Sequence, residues 1–255
     1  MPRGDKAAVM RYKIPLPPLP VQAEIVRILD AFSELTAELT AELTAELTAR
    51  KKQYEYYRDK LLTFGEADTR VRWVTLGEIA VNLDAKRKPV TKGVRQVGKY
   101  PYYGASGIVD YVSDYLYDGD YLLVSEDGAN LLARTTPIAF SASGKIWVNN
   151  HAHVLQFETY ETRRFVEFYL NSIDLGPYIS IGAQPKLNQR NLSEIVIPFP
   201  PLAEQARIVA ILDRFDALVN DLTQGLPAEI AARKKQYEYY RDKLLTFSEV
   251  ARDGQ

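Results

Sequence analysis

The fifteen residues from Arg50 to Phe64 return unchanged as Arg233 to Phe247, 183 positions further along the chain. At that offset the match runs back without a gap to Ile14 and Ile197, and 35 of 51 positions are identical. A repeat this long fixes the architecture before any local reading: two equivalent elements bracket one unique block.

Each copy opens on a proline arm, Ile14-Pro15-Leu16-Pro17-Pro18-Leu19-Pro20 and Ile197-Pro198-Phe199-Pro200-Pro201-Leu202. Proline lacks the amide donor and restricts the residue before it, so the first arm reads as extended up to Pro20. From Val21 to Phe64 there is no glycine or proline. Ile25, Ile28, Leu29, Phe32 and Leu35 follow helical spacing, and Leu39, Leu43, Leu47, Tyr54, Tyr57, Leu61 and Phe64 continue the stripe. A helix of about 43 residues is about 65 Å long and needs a second long helix to pack against. The second copy keeps the stripe from Ile208 to Ile230, but Gly225 and Pro227 interrupt it. A kink or a restart with Pro227 in the first turn is expected there.

The Thr-Ala-Glu-Leu repeats between Thr36 and Leu47 are low-complexity but helical in character. Leucines every four residues advance about 40° per step, so the stripe drifts around the helix. Two readings stand: a solvated spacer with a leucine edge, or a ruler in which one unit changes the length by about 6 Å.

The block between the copies is rich in glycine, tyrosine and β-branched residues. Arg72 to Ala80 reads as a strand edge and a helical turn, and Tyr121–Val124, Lys145–Val148 and His153–Phe157 as strands. Arg163 to Ser172 reads as a helix with Phe165, Phe168 and Tyr169 inside. The expected fold is α+β: one mixed α/β globule flanked by two long antiparallel coiled-coil helices. Its segments are a patternless stump 1–13, arm and helix 14–64, globule 65–196, arm and helix 197–247 (kinked near 225–227), and a fraying tail 248–255.

The charges of the globule are uneven although the net charge is only −1. Lys86, Arg87, Lys88, Lys92, Arg95 and Lys99 crowd fourteen positions without an acid, held as a loop by Pro89 and Gly93. Tyr100, Tyr102 and Tyr103 follow at once. A basic loop running into aromatics suits a nucleic-acid contact, and a solvated charged loop has the same composition. The second candidate is Gly182 to Arg190. There glycine then proline is expected to open a short helix whose free amides suit a phosphate, with Gln184, Lys186, Asn188 and Arg190 able to read bases or neutralise phosphates. A polar helix start before the next strand is the plainer reading.

Catalytic signatures are missing. With no cysteine there is no disulfide or thiolate chemistry. His151 and His153 are placed on one face of a strand with no carboxylate close in sequence, so no metal site is expected. No phosphate-cradling loop, dinucleotide fingerprint or nucleophile–base pair occurs. No stretch of 18 apolar residues and no signal peptide is present, so a soluble cytoplasmic protein with no membrane association is expected.

The proline arms, Leu202-Ala203-Glu204-Gln205, the duplicated fifteen-residue run and the Thr-Ala-Glu-Leu spacer resemble the specificity subunit of type I restriction–modification enzymes. Tyr100-Pro101-Tyr102-Tyr103-Gly104-Ala105-Ser106-Gly107 and Gly182 to Asn188 look like segments of its target-recognition domain. The resemblance covers nearly everything from Ile14 to Phe247. It implies a half-subunit form: the family alternates two recognition domains with two helical regions, and this chain has one domain between two regions.

The resemblance implies a non-catalytic subunit whose globule binds one half of a bipartite double-stranded DNA target. Its helices would dock methyltransferase subunits and, through them, restriction/translocase subunits. Arg50, Arg58, Arg233 and Arg241 are the candidate docking residues. S-adenosylmethionine, ATP and magnesium would belong to the partners, with no cofactor in this chain. A homodimer would restore two recognition domains and a symmetric target. A monomer with its helices paired as a hairpin is the alternative assembly. From another functional class, a coiled-coil scaffold with a small-molecule- or glycan-binding globule also fits, and salt-sensitive DNA binding separates the two.

Overall fold

The computed structural model describes residues 5–65, 69–180, 182, 184–221 and 223–247. Glu66, Ala183, Leu222 and the tail 248–255 lie outside them. The chain divides into two compact units, residues 1–53 with 215–255, and residues 54–214. The second unit thus takes in the end of the first repeat and the start of the second, because Leu62, Ile208, Val209 and Leu212 are part of its core.

In chain order the elements are α1 (Lys6–Val9), α2 (Leu19–Leu62), β1 (Arg72–Thr75), α3 (Leu76–Ile79), β2 (Val81–Asn82), β3 (Val97–Gly104) and β4 (Gly107–Val112). Next come β5 (Tyr117–Ser125), α4 (Asn130–Ala133), β6 (Ala139–Val148), β7 (Ala152–Gln156), α5 (Tyr160–Ser172), α6 (Gln189–Ser193), β8 (Val196–Phe199), α7 (Leu202–Asn220) and α8 (Leu226–Leu245).

The stump is not wholly patternless: Asp5 accepts from the Ala7 amide at 2.9 Å and starts the single turn α1. Helix α2 runs unbroken for 44 residues. It begins at Leu19, two residues earlier than expected, because the first turn needs no amide donor and so tolerates Pro20. The Gln22 amide and side chain both reach back, to the carbonyls of Pro18 at 3.1 Å and Pro17 at 2.6 Å. In the Thr-Ala-Glu-Leu repeats Leu39, Leu43 and Leu47 are partly buried while Glu38, Glu42 and Glu46 are exposed. Helix α8 meets α2 where Phe32 stacks on Tyr237 and sets its edge to Tyr240, and the Ser33 and Tyr237 hydroxyls bond at 2.9 Å.

The expected interruption falls between α7 and α8. Pro227 sits in the first turn of α8 and Gly225 is its N-cap. A Cβ at Gly225 would lie 2.5 Å from the Ala217 carbonyl oxygen and 2.8 Å from those of Leu218 and Asp221, so only glycine lets the chain turn there.

The second unit holds a two-stranded antiparallel sheet, β1–β8, and a six-stranded sheet in the order β2-β7-β5-β6-β3-β4. The β3–β6 pair is parallel and the others are antiparallel. Strand β5 is central and buried on both faces. Leu122 and Val124 face α5 and its core with Phe165, Val166 and Leu170, whereas Tyr117, Tyr121 and Leu123 join Ile146, Val148 and Val154 on the other face. This explains a strand without polar alternation. Helix α5 starts three residues before the expected Arg163, because Thr159 accepts from the Thr162 amide and caps it.

The second repeat is fixed to α5 by polar contacts. Arg164 makes two bonds to Asp213 at 2.9 and 2.6 Å, Tyr160 donates to the same carboxylate at 2.8 Å, and Thr162 donates to Gln205 at 2.9 Å. Gln205 in turn reaches the Pro200 carbonyl at 2.8 Å, as Gln22 reaches Pro17 in the first copy. The same sequence nevertheless has two burial states: Val209 is 2% exposed and its counterpart Val26 is 55% exposed.

Candidate nucleic-acid interface

The run from Lys86 to Lys99 is not a uniform basic loop. Lys86, Lys88, Lys92 and Lys99 are exposed. Arg87 points inward instead, 2.5 Å from Glu126 and 3.3 Å from Asp84, and it also donates to the Ala152 carbonyl at 2.9 Å. Arg95 pairs with Asp110 at 3.0 Å and lies over the Tyr102 ring. Both arginines are therefore paired within the globule, and their charge is partly neutralised there. Tyr102 is buried at 1% exposed, and its hydroxyl accepts from the Val90 amide at 2.9 Å. Its neighbour Tyr103 is partly buried and stacks on Phe140, and burial pushes its hydroxyl pKa up, with Tyr111 adding to the effect. Lys99 lies in β3, where it sits over the Tyr100 ring.

The backbone holds this run in place. The Lys88 amide donates to the Val148 carbonyl at 3.2 Å, and the Lys88 carbonyl accepts from the Trp147 indole at 2.6 Å.

The second candidate segment also departs from expectation. Its helix, α6, opens at Gln189 and not after Pro185, with Asn188 as N-cap accepting from the Asn191 amide at 2.9 Å. The cap occupies the Asn188 side-chain oxygen, so Asn188 is a structural residue before it is a reader of bases. Gln184 and Lys186 are exposed, and Arg190 is exposed beside Glu194 at 3.0 Å. Lys186 reaches Glu126 at 2.9 Å, and that bond raises its pKa.

The histidines are separated. His151 lies in the turn before β7, not on a strand, and pairs with Asp127 at 2.9 Å. His153 is fully buried, its Nδ1 2.5 Å from Asp84 and its Nε2 2.7 Å from the Leu187 carbonyl. Since a carbonyl only accepts, Nε2 carries a hydrogen. Asp84, Glu126 and His153 bring three possible metal-ligand atoms within 4.8 Å of one another. The carboxylates that the sequence does not place near His153 are thus supplied by tertiary structure. Arg87 and Lys186 already supply positive charge to this group. Burial works to raise both carboxyl pKa values, and the bonds from His153 to Asp84 and from Arg87 and Lys186 to Glu126 outweigh it, so both end below the ordinary range.

One cation–aromatic cluster is only half signalled in the sequence, by Lys99 and Tyr100, since Tyr115 and Lys145 lie far along the chain. Tyr100 and Tyr115 lie ring to ring at 5.2 Å, with Lys99 over the first and Lys145 over the second. Lys145 is exposed, and its bond to Tyr115 raises its pKa. The parallel pairing of β3 with β6, in register at Tyr102 and Trp147, is what brings Lys99 and Lys145 together. A second lysine and a tilted pair of tyrosines fit a phosphate-and-base surface.

Residues 1–49 and 70–232 match the type I restriction modification DNA specificity domain. The chain belongs to that family. Among relatives of this specificity-family chain, a putative type I restriction enzyme specificity subunit of Haemophilus influenzae is 39% identical over 203 residues, covering 78% of the chain and 51% of the relative. The EcoR124I/EcoR124II specificity subunit of Escherichia coli is 36% identical over 261 residues, covering 92% and 63%. The chain thus spans about half the length of the first of these. A putative type I specificity subunit of Mycoplasma pneumoniae is 32% identical over 251 residues and is matched over 94% of both chains. In fold, the chain is similar to the type I restriction–modification S subunit of M. genitalium, with a TM-score of 0.64 at 19% identity, covering 91% of this chain and 62% of that one.

In this specificity-family chain the duplicated run presents one local surface twice. Tyr56 with Tyr57, and Tyr239 with Tyr240, form edge-on pairs at 5.3 and 5.2 Å. Arg58–Asp59 and Arg241–Asp242 both pair at 2.7 Å. Arg50 pairs with Glu46 and Arg233 with Glu229, within one helical turn. Among the described residues, no helix is long and apolar enough to cross a membrane.

Proposed function

We propose that this chain is the non-catalytic DNA-recognition subunit of a type I restriction–modification system, with its globule reading one half-site of double-stranded DNA. The observation that carries this reading is the match of the family's DNA specificity domain to most of both repeats and of the globule between them. Exposed Lys86, Lys88, Lys92, Lys99 and Lys145 supply the phosphate-neutralising charge, and Gln184, Lys186 and Arg190 stand at the candidate base-reading segment. Replacing Lys86 and Lys88 together by alanine is expected to weaken binding to all sequences alike. The salt dependence should flatten by about one logarithmic unit per lost phosphate contact. Gel-shift titrations at several salt concentrations measure this, and unchanged affinity and slope would remove the loop from the interface.

Two such chains assemble as a homodimer with two globules and a symmetric bipartite target. The duplicated run docks identical methyltransferase subunits, through which restriction/translocase subunits join the complex in the cytoplasm. S-adenosylmethionine, ATP and magnesium belong to those partners. The support for docking is that Tyr56 and Tyr239, equally exposed at 60%, keep the same local geometry in two different packing environments. Reversing the charge at Arg58 and Arg241 is expected to lower methyltransferase affinity, read as reduced co-purification, while leaving the circular dichroism of the chain unchanged. Full recovery of the complex would count against this role.

A further inference from the structure

Glu126 joins the two segments singled out for DNA contact while being almost shielded from solvent itself, at 8% exposed. It comes directly after β5. One carboxylate oxygen accepts from Arg87 at 2.5 Å, in the middle of the Lys86–Lys88 run, and the other from Lys186 at 2.9 Å. Its backbone repeats the connection, since its carbonyl accepts from the Leu187 amide at 2.8 Å and its amide donates to the His151 carbonyl at 2.9 Å. Two residues on, the Gly128 amide donates to the Pro185 carbonyl at 3.2 Å. Lys86 and Lys88 flank the bonded Arg87 in sequence, as Gln184 and Asn188 flank Lys186. Glu126 therefore ties the two segments together through both its carboxylate and its backbone carbonyl, beside the bond from His153 to the Leu187 carbonyl.

The charges give this connection a second consequence. A carboxylate bonded to two cations cancels much of their field, so Arg87 and Lys186 add little to sequence-independent attraction by phosphates. A segment held at fixed distance and with its charge damped discriminates by fit, since a wrong sequence gains little from the backbone alone.

We propose that Glu126 is a specificity-determining positioning residue: without contacting DNA, it fixes the spacing of the Lys86–Lys88 and Gln184–Asn188 segments and restrains Arg87 and Lys186 from non-specific phosphate binding. This rests on the DNA-recognition reading. It differs from a purely structural role in the sign of one effect. Loss of a structural residue lowers all binding together, whereas loss of this charge raises non-specific binding and lowers discrimination.

The experiment uses the full chain with methyltransferase subunits, a randomised 30-base-pair duplex library for preference, and poly(dI-dC) for non-specific binding. Glu126→Gln keeps size and one acceptor but loses the charge. It is expected to bind poly(dI-dC) several-fold more tightly, with a salt slope steeper by about one unit as Lys186 is released, Arg87 staying on Asp84 and the Ala152 carbonyl. Library enrichment of the preferred sequences should fall about tenfold or more. Glu126→Asp retains the charge with a shorter reach, so its enrichment should fall while its poly(dI-dC) affinity stays at the wild-type value. It also keeps the test decisive should Glu126→Gln fail to fold. Wild-type enrichment with both folded variants matching it, or a parallel fall of specific and non-specific binding, overturns the role of Glu126 alone. A wild-type complex that enriches no sequence overturns the DNA-recognition reading itself.

Discussion

Asp84→Ala is expected to destabilise the globule by about 3–5 kcal/mol, the usual cost of removing one partner from a buried ionic group. Asp84 is buried, and its carboxylate accepts from His153 at 2.5 Å, from the Val154 amide at 2.8 Å, and lies 3.3 Å from Arg87. Alanine leaves His153 Nδ1 and the buried Val154 amide without their acceptor, and only Glu126, 3.8 Å from His153, remains to balance Arg87 and Lys186. Asp84→Asn keeps an acceptor for the amide and should cost less. Urea denaturation measures the difference. With a slope of about 2 kcal/mol per molar, the alanine midpoint should fall by about 1.5–2.5 M. A fall of less than about 0.3 M would show that the cluster is dispensable.

The same cluster sets an acid limit. The folded-state pKa values of Asp84 and Glu126 lie below their ordinary values, so their contribution to stability is fully present above the unfolded values of about 3.9 and 4.3. It is lost as pH falls through the lower folded values. The groups facing these carboxylates are His153, Arg87 and Lys186, whose bonds favour the ionised carboxylates. Wild-type stability should therefore drop steeply below about pH 4.5, and Asp84→Ala should show a shallower drop from its lower starting point.

Deleting Thr40–Leu43 is expected to shorten the spacing between half-sites by one base pair while leaving the half-site bases unchanged. Helix α2 is continuous through this region, and Thr44 and Thr48 bond the carbonyls one turn back at 2.7 and 2.9 Å. Removing one Thr-Ala-Glu-Leu unit keeps the leucine–glutamate pattern, with Leu39 and Leu47 still spaced by four. It shortens the helix by about 6 Å and rotates the rest of α2 by about −40°. On B-DNA the translation corresponds to about two base pairs at 3.4 Å each, but the rotation to about one at 34–36° each. A recognition globule must meet the right groove face, and rotation is harder to absorb by helix tilt than translation. The expectation rests on the proposed dimeric recognition and takes α2 as the separator of the two globules. Methylation mapping in cells carrying the deletion decides it. A changed half-site, or an unchanged spacing with full methylation, would falsify the ruler and leave the repeats as helical filler.

The long-range order of elements was legible because its signals are local and periodic. The duplicated run and its apolar spacing specify α2 and α8, and Gly225 with Pro227 specifies the break, for which the backbone leaves no room for a side chain. The errors at helix starts are also local: Leu19 and Tyr160 begin helices earlier because Pro20 and Thr159 suit the first turn and the cap. Strand runs around Leu122 and Val154 were legible from composition alone, since strands buried on both faces need no alternation, while Ile146 and Val148 alternate with the half-buried Trp147.

The chemistry of the candidate interface was only half legible. Sequence locates a run rich in lysine and arginine, but it cannot tell which cations face water. That choice depends on where acids arrive from elsewhere: Glu126 is 39 positions from Arg87, and Asp110 is 15 from Arg95. The sequence by itself determined the two repeats, the globule between them and the family. Only the tertiary structure decided that Arg87, Arg95, Tyr102 and Asn188 serve the fold, that Lys145 joins Lys99, and that identical residues such as Val26 and Val209 have unlike surroundings. The physical reason is that backbone periodicity is written within a few residues, whereas the burial of a charge depends on partners brought together by sheet register and helix docking.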